Sequence, residues 1–173
     1  MGKITFILGG ARSGKSSYAL KMAQKRHKKV AFIATCEPKD LEMKKRIAAH
    51  KNFRPKNWQT FEEPKDIYGL LKKIGDKFEL IIIDCLTLWV SNLLLKGLNE
   101  EKLIDEIQRI LDLLKKIKAK SVIVSNEVGL GIVPGNKLSR DFRDITGKIN
   151  QLVAIKAEEV IFMASGLSLK IKG

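Results

Sequence analysis

Aromatic residues make up only 6% of this 173-residue chain, and it has four prolines, two cysteines and two histidines. Sparse aromatics count against a stacking platform for single-stranded nucleic acid. Cys36 and Cys85 have no metal-ligand spacing and need not pair, so they read as free thiols of a reducing compartment. No run of ~18 or more uncharged apolar residues occurs, so no membrane insertion is expected. The first strand pattern opens at residue 3, which leaves no room for a cleavable leader and points to a cytoplasmic protein. Composition does not shift along the chain and no internal repeat is present, so residues 1–173 are expected to form a single domain.

Acidic residues are also in deficit, 19 against 33 Lys and Arg, giving a net charge of +14. A chain this basic suits a polyanionic partner, and a nucleic-acid-binding NTPase is one function class to weigh. The lysines, however, are dispersed over residues 25–29, 44–51, 72–77 and 115–120. Most fall on helix faces or helix ends, where a solvated surface is the better reading and no nucleic-acid partner is expected.

The periodicity predicts strands at 3–8, 29–34, 58–62, 79–84, 120–125, 158–164 and 167–171. Helices are predicted at 15–26, 40–51, 65–74, 86–97, 100–117 and 137–157. Ile81-Ile82-Ile83 and Val122-Ile123-Val124 are short continuous apolar runs, as parallel strands covered on both faces require. Alternating strands and helices imply right-handed crossovers. The last two strands are close enough around Gly166 for a hairpin. The expected fold is therefore α/β and three-layered, a phosphate-loop NTPase with a mostly parallel central sheet and an antiparallel edge hairpin. Ligands in such sheets bind beyond the strands' carboxyl ends.

At one of those ends stands Gly9-Gly10-Ala11-Arg12-Ser13-Gly14-Lys15-Ser16, a complete G-x-x-x-x-G-K-S phosphate loop between a strand and a helix. Small residues let successive backbone N–H groups face a triphosphate; Lys15 adds a point charge, and the Ser16 hydroxyl suits Mg²⁺. The helix that follows turns its positive dipole end to the same anion. Asp84 closes the run Leu80-Ile81-Ile82-Ile83, where a carboxylate is placed to hold Mg²⁺ directly or through water; capping the next helix is its ordinary alternative. His27 sits in a basic run and reads as solvated. His50 ends a predicted helix; imidazole is a competent nucleophile toward phosphorus, although spacing alone favours an uninvolved surface residue.

The phosphate loop is joined in order by Ile33-Ala34-Thr35, Glu42-Met43, Arg46-Ile47, His50, Arg54-Pro55, Trp58, Thr60 and Glu62. Asp84-Cys85-Leu86-Thr87, Asn92-Leu93-Leu94, the segment 126–134, Phe142-Arg143-Asp144, Gly147, Asn150-Gln151 and Ser165-Gly166 follow. Over nearly the whole chain this resembles the bifunctional adenosylcobinamide kinase/adenosylcobinamide-phosphate guanylyltransferases of cobalamin biosynthesis. The resemblance implies two reactions, phosphorylation of adenosylcobinamide by ATP or GTP and then transfer of GMP from GTP to the adenosylcobinamide phosphate. It implies that His50 carries the guanylyl group and that Ala34, Thr35, Cys36, Lys51, Asn52, Phe53, Arg54, Glu62 and Asp84 add nucleotide contacts to those of the loop. It leaves open whether Glu62 or Asp84 accepts from guanine or binds metal. It further implies a homotrimer. A simple phosphate-loop small-molecule kinase, in which His50 is dispensable, is the remaining alternative.

Overall fold

The structure is a computed structural model that describes residues 2–37 and 54–173. Among these, seven strands form one sheet: β1 (Ile4–Gly9), β2 (Val30–Ala34), β3 (Gln59–Glu62), β4 (Leu80–Asp84), β5 (Lys120–Asn126), β6 (Glu159–Ala164) and β7 (Leu167–Lys172). The helices are α1 (Lys15–Gln24), α2 (Ile67–Ile74), α3 (Leu86–Leu95), α4 (Glu100–Lys116) and α5 (Lys137–Lys156). The helix expected over 40–51 lies outside the described residues.

The strand order is β3-β2-β4-β5-β1-β6-β7. Every pairing is parallel except β6–β7, which is antiparallel. The α/β sheet with an antiparallel edge read from the sequence is thus the observed one. The β6–β7 connection is two residues long, and Ser165 (φ 50°) and Gly166 (φ 83°) are both left-handed. That is the backbone of a type I′ turn, whose twist matches the flanking strands and which favours glycine.

Alternation along each strand sends successive side chains to opposite faces. On one face Ile7, Phe32, Ile82, Val122 and Val124 pack with Ala19 and Ala23 of α1. On the other, Phe6, Ile33, Ile81, Ile83 and Ile123 pack with Leu71 of α2, Trp89 of α3, Ile107 of α4 and Ile149 of α5. Because β2 and β4 are covered on both sides, their apolar runs are continuous rather than alternating. α4 buries Leu103, Ile107, Ile110, Leu111 and Leu114, the three-and-four spacing of one helix face.

The helix starts follow from short polar side chains that accept from orphan N–H groups. Asp66 Oδ1 accepts from Gly69 N at 2.8 Å, Asn99 Oδ1 from Lys102 N at 3.1 Å and Asn136 Oδ1 from Ser139 N at 2.8 Å. α2 therefore begins at Ile67, two residues later than the periodicity predicts. α1 and α3 have no side-chain cap, and both begin at carboxyl ends of strands.

At the opposite rim of the sheet, Glu158 ties β1 to α4. Its Oε2 accepts from Ile4 N at 2.7 Å and its Oε1 pairs with the Lys115 ammonium. Burial pushes this carboxyl up, but Lys115 and the Ile4 N–H outweigh it and hold it below its ordinary value of 4.5. A depressed carboxyl adds stability above its unfolded value, and that stability is lost as the pH falls through the folded value. Glu158→Gln should therefore be less stable than wild type at pH 7, with the difference shrinking as the pH falls below 4.5 and vanishing once it has passed the folded value. Urea unfolding across that range checks this; a difference that persists at low pH would contradict it.

Candidate active site

Residues 9–16 link β1 to α1 at the carboxyl edge of the sheet. The loop folds on itself through Ser13 N–H to the Gly10 carbonyl at 3.3 Å, and α1 opens with Tyr18 N–H to the Gly14 carbonyl at 2.9 Å. The first amides of a helix have no intrahelical acceptor. α1 has neither a side-chain cap nor an acidic residue in its first turn, so its N-terminal dipole is left for an anion. Gly14 has φ 95°, and a Cβ there would stand 3.3 Å from Gly166 Cα. The hairpin turn is thus packed directly on the loop, and Gly166 N–H donates to the Ser13 carbonyl at 3.0 Å. Glu127 N–H donates to the Gly9 carbonyl at 2.9 Å and secures the loop's other side.

Lys15 is buried, with 7% of its surface exposed. Its ammonium donates to the Gly10 carbonyl at 2.6 Å and to Ser13 Oγ at 3.4 Å. Burial lowers its pKa, and the neighbouring Cys85 and Asp84 oppose that shift. The Cys85 thiol, also buried, is pushed up to about 12, so at neutral pH it is an uncharged thiol and Asp84 supplies the opposing charge. On the same face Arg54 lies over the Phe32 ring at 3.8 Å and donates to Thr60 Oγ1 at 3.3 Å. Burial lowers the Arg54 pKa while Asp84 and Glu62 raise it; a guanidinium stays charged throughout. The structure therefore gathers Lys15, Arg54, Glu62 and Asp84 into one electrostatic neighbourhood beside the phosphate loop.

The carboxyl ends of β2 and β4 are locked together through Thr35. Its hydroxyl donates to the Cys85 carbonyl at 2.7 Å and accepts from Cys85 N–H at 2.9 Å. Its own carbonyl accepts from Asn92 Nδ2 at 2.8 Å, and that amide also reaches the Pro64 carbonyl at 3.2 Å. Beneath β5 a second set closes into a ring. Asn126 N–H donates to Thr87 Oγ1 (2.7 Å), which is 3.1 Å from Ser125 Oγ. Ser125 Oγ donates to Asn150 Oδ1 (2.8 Å), and Asn150 Nδ2 donates to the Asn126 carbonyl (3.1 Å). Since the Ser125 proton goes to Asn150, the Thr87 proton goes to Ser125, and every member is satisfied.

Of the residues singled out from the sequence, Gly9, Gly10, Ala11, Arg12, Ser13, Gly14, Lys15, Ser16, Ala34, Thr35, Cys36, Arg54, Glu62 and Asp84 lie along this edge. His50, Lys51, Asn52 and Phe53 lie outside the described residues. Thr35, the residue after β2, is fully buried and binds protein groups through its side chain, so it positions Cys85. Asn92, Thr87, Ser125 and Asn150 received no individual role from the sequence. Their signal was a polar residue at a buried position of an otherwise apolar segment. Arg140 donates to the Pro134 and Gly135 carbonyls, and Arg143 pairs with Asp144 at 3.0 Å; both serve the loop and its helix.

A buried ammonium with two short-range acceptors among the described residues destabilises the unliganded fold and favours a bound anion. Lys15→Met should weaken triphosphate binding by about 100-fold while leaving the melting temperature of the unliganded protein unchanged or higher. Calorimetric titration and thermal unfolding read the two effects. A variant that loses stability but still binds triphosphate at full affinity would contradict this assignment.

Comparison with known proteins agrees with this geometry. Residues 5–171 match the family model described as cobinamide kinase / cobinamide phosphate guanyltransferase. The chain is 41% identical over 167 residues to the bifunctional adenosylcobalamin biosynthesis protein CobP of Pseudomonas aeruginosa, covering 96% of each. It is 40% identical over 178 residues to the protein of that description, CobU, from Salmonella typhimurium, covering 96% of this chain and 98% of the relative. Among solved structures, the RadB recombinase superposes with a TM-score of 0.56 at 19% identity, over 93% of this chain and 74% of that one. A KaiC-like protein of Pyrococcus horikoshii gives 0.51 at 15% identity, over 93% and 70%. Both show the fold alone. With its phosphate loop and its full-length match, the chain belongs to the cobinamide kinase / cobinamide phosphate guanyltransferase family.

Proposed function

We propose that this protein phosphorylates the aminopropanol hydroxyl of adenosylcobinamide with ATP or GTP. It then transfers GMP from GTP to the new phosphate, releasing pyrophosphate and giving adenosylcobinamide-GDP. The observation that carries this reading is the intact loop 9–16, with its buried Lys15, in a chain matched by the family model from residue 5 to residue 171. One domain, residues 1–173, carries both steps.

In the first step the loop amides and Lys15 hold the triphosphate, and the corrinoid hydroxyl attacks the γ-phosphorus as the bond to the β-phosphate breaks. Positioning and charge stabilisation supply most of the catalysis in such transfers. In the second, a ring nitrogen of His50 attacks the α-phosphorus of GTP, the α–β bond breaks and pyrophosphate leaves. Lys15 and the α1 N-terminus stabilise the charge that builds on the leaving group. An oxygen of adenosylcobinamide phosphate then attacks the phosphoramidate, the P–N bond breaks and His50 is restored. Ala34, Cys36, Lys51, Asn52, Phe53, Arg54 and Glu62 are assigned to the rest of the nucleotide, with Thr35 holding the strand ends behind them.

The donor set suits Mg²⁺. Ser16 and Asp84 offer hard oxygen ligands, the adjacent Cys85 is an uncharged thiol, and no cluster of three or more His, Cys, Asp or Glu occurs among the described residues. Mg²⁺ is commonly held by one or two protein oxygens together with phosphates and water. When bound, it neutralises phosphate charge.

No helix among the described residues is long and apolar enough to cross a membrane, which supports a cytoplasmic enzyme. Leu130, Ile132 and Val133 after β5, and Leu167, Leu169 and Ile171 on β7, are exposed apolar side chains, which supports assembly, expected to be a homotrimer.

Incubation with α-³²P-GTP and Mg²⁺, then denaturing electrophoresis, tests the covalent step. Wild type should carry acid-labile, base-stable label, and His50→Ala should carry none. Label that survives in the variant would move the nucleophile elsewhere. An unlabelled but GTP-binding wild type would leave a simple kinase.

A further inference from the structure

The geometry points to Asn126 as the residue that reads the terminal phosphate of the bound triphosphate, an inference that rests on the nucleotide reading of this site. Asn126 ends β5, which lies between the phosphate-loop strand β1 and the Asp84 strand β4. Its register partner in β1 is Gly9, and Asp84 is opposite Val124, two residues earlier. Val122 and Val124 face α1, so alternation puts the Asn126 side chain on that face too. The Asp84 side chain, two residues after Ile82, lies on the same face. The carboxamide therefore stands on the nucleotide side of the sheet, beside the start of the phosphate loop and one pleat beyond Asp84.

Its backbone is held with unusual care. The N–H goes to Thr87 and the carbonyl accepts from Asn150, both through the ring described above. The side chains of that ring are buried: Ser125 is 0% exposed, Thr87 4% and Asn150 5%. Buried polar groups are costly unless all are satisfied, and a fully satisfied network rigidifies what it holds. Here what is held is a strand-end residue whose own carboxamide, half-buried, makes no hydrogen bond among the described residues. A rigid, neutral NH₂ donor at this position suits a γ-phosphate oxygen. Lys15 supplies the charge and Asn126 the direction. A nucleoside diphosphate and a nucleoside triphosphate both present an α- and a β-phosphate to the loop, but only the triphosphate has the group that Asn126 meets.

The test measures binding of α,β-methylene GTP and α,β-methylene GDP, analogues whose α–β bridge resists cleavage, by calorimetric titration with Mg²⁺. In Asn126→Ala the affinity for the GTP analogue should fall about tenfold, while that for the GDP analogue stays within about twofold. Asn126→Asp, which keeps the shape but sets a carboxylate against the phosphate, should lose more for the GTP analogue and again spare the GDP analogue. Equal losses for the two nucleotides, in either variant, would make Asn126 merely structural and overturn the inference, as would unchanged binding of both. If wild type binds neither analogue, the nucleotide reading itself fails, an outcome distinguishable from failure of the Asn126 assignment alone.

Discussion

Taking the Lys15 ammonium out of water costs folding free energy, and the loop offsets only part of it through the Gly10 carbonyl at 2.6 Å and Ser13 Oγ at 3.4 Å. Burial accordingly lowers the lysine's pKa, against the pull of Cys85 and Asp84. A site built this way is poorly satisfied when unliganded and well satisfied by an anion. It also constrains its neighbours. The thiol beside it stays protonated because burial pushes it up to about 12, which leaves Asp84, rather than the thiol, to act on Lys15 as a negative charge. Any nucleotide chemistry at this edge starts from that pairing of a desolvated cation with a nearby carboxylate.

The sheet holds the arrangement in place from behind. Parallel strands end at one rim, and their alternation lines up Gly9, Ala34, Asp84 and Asn126 on the face shared with α1. On the opposite face, the polar residues that fix those strand ends are buried among α3 and α5. Thr35 and Asn92 hold the ends of β2 and β4, and Thr87, Ser125 and Asn150 hold the end of β5. The β6–β7 hairpin adds support from the side, with Gly166 on Ser13. One face carries the chemistry and the other carries the rigidity that the chemistry needs.

Much of this was legible from the chain. The phosphate loop is a local pattern, and the apolar runs of β4 and β5 identify strands covered on both faces without reference to any partner. The two-residue link around Gly166 read correctly as a hairpin because a type I′ turn writes its backbone demand into the sequence. The support networks did not show themselves in this way. Ser125 and Asn150 are 25 residues apart and Thr87 and Ser125 are 38 apart, so their roles exist only once the strands and helices are packed. Arg54 over Phe32 is likewise a tertiary fact, since spacing gives no reason for a cation to stack on a strand residue. The start of α2 moved because Asp66 caps it, a local interaction that the apolar period does not register.

The central claim is that one cradle, formed by residues 9–16, serves attack at two different phosphorus atoms of the same kind of nucleotide. Its most direct test follows both reactions in the Lys15→Met variant, with γ-³²P-GTP reporting phosphate on adenosylcobinamide and α-³²P-GTP reporting guanylyl transfer to adenosylcobinamide phosphate. A shared cradle requires both rates to fall together, each by about 100-fold or more. A variant that loses one reaction and keeps the other at the wild-type rate would contradict it and place the two chemistries at separate nucleotide sites.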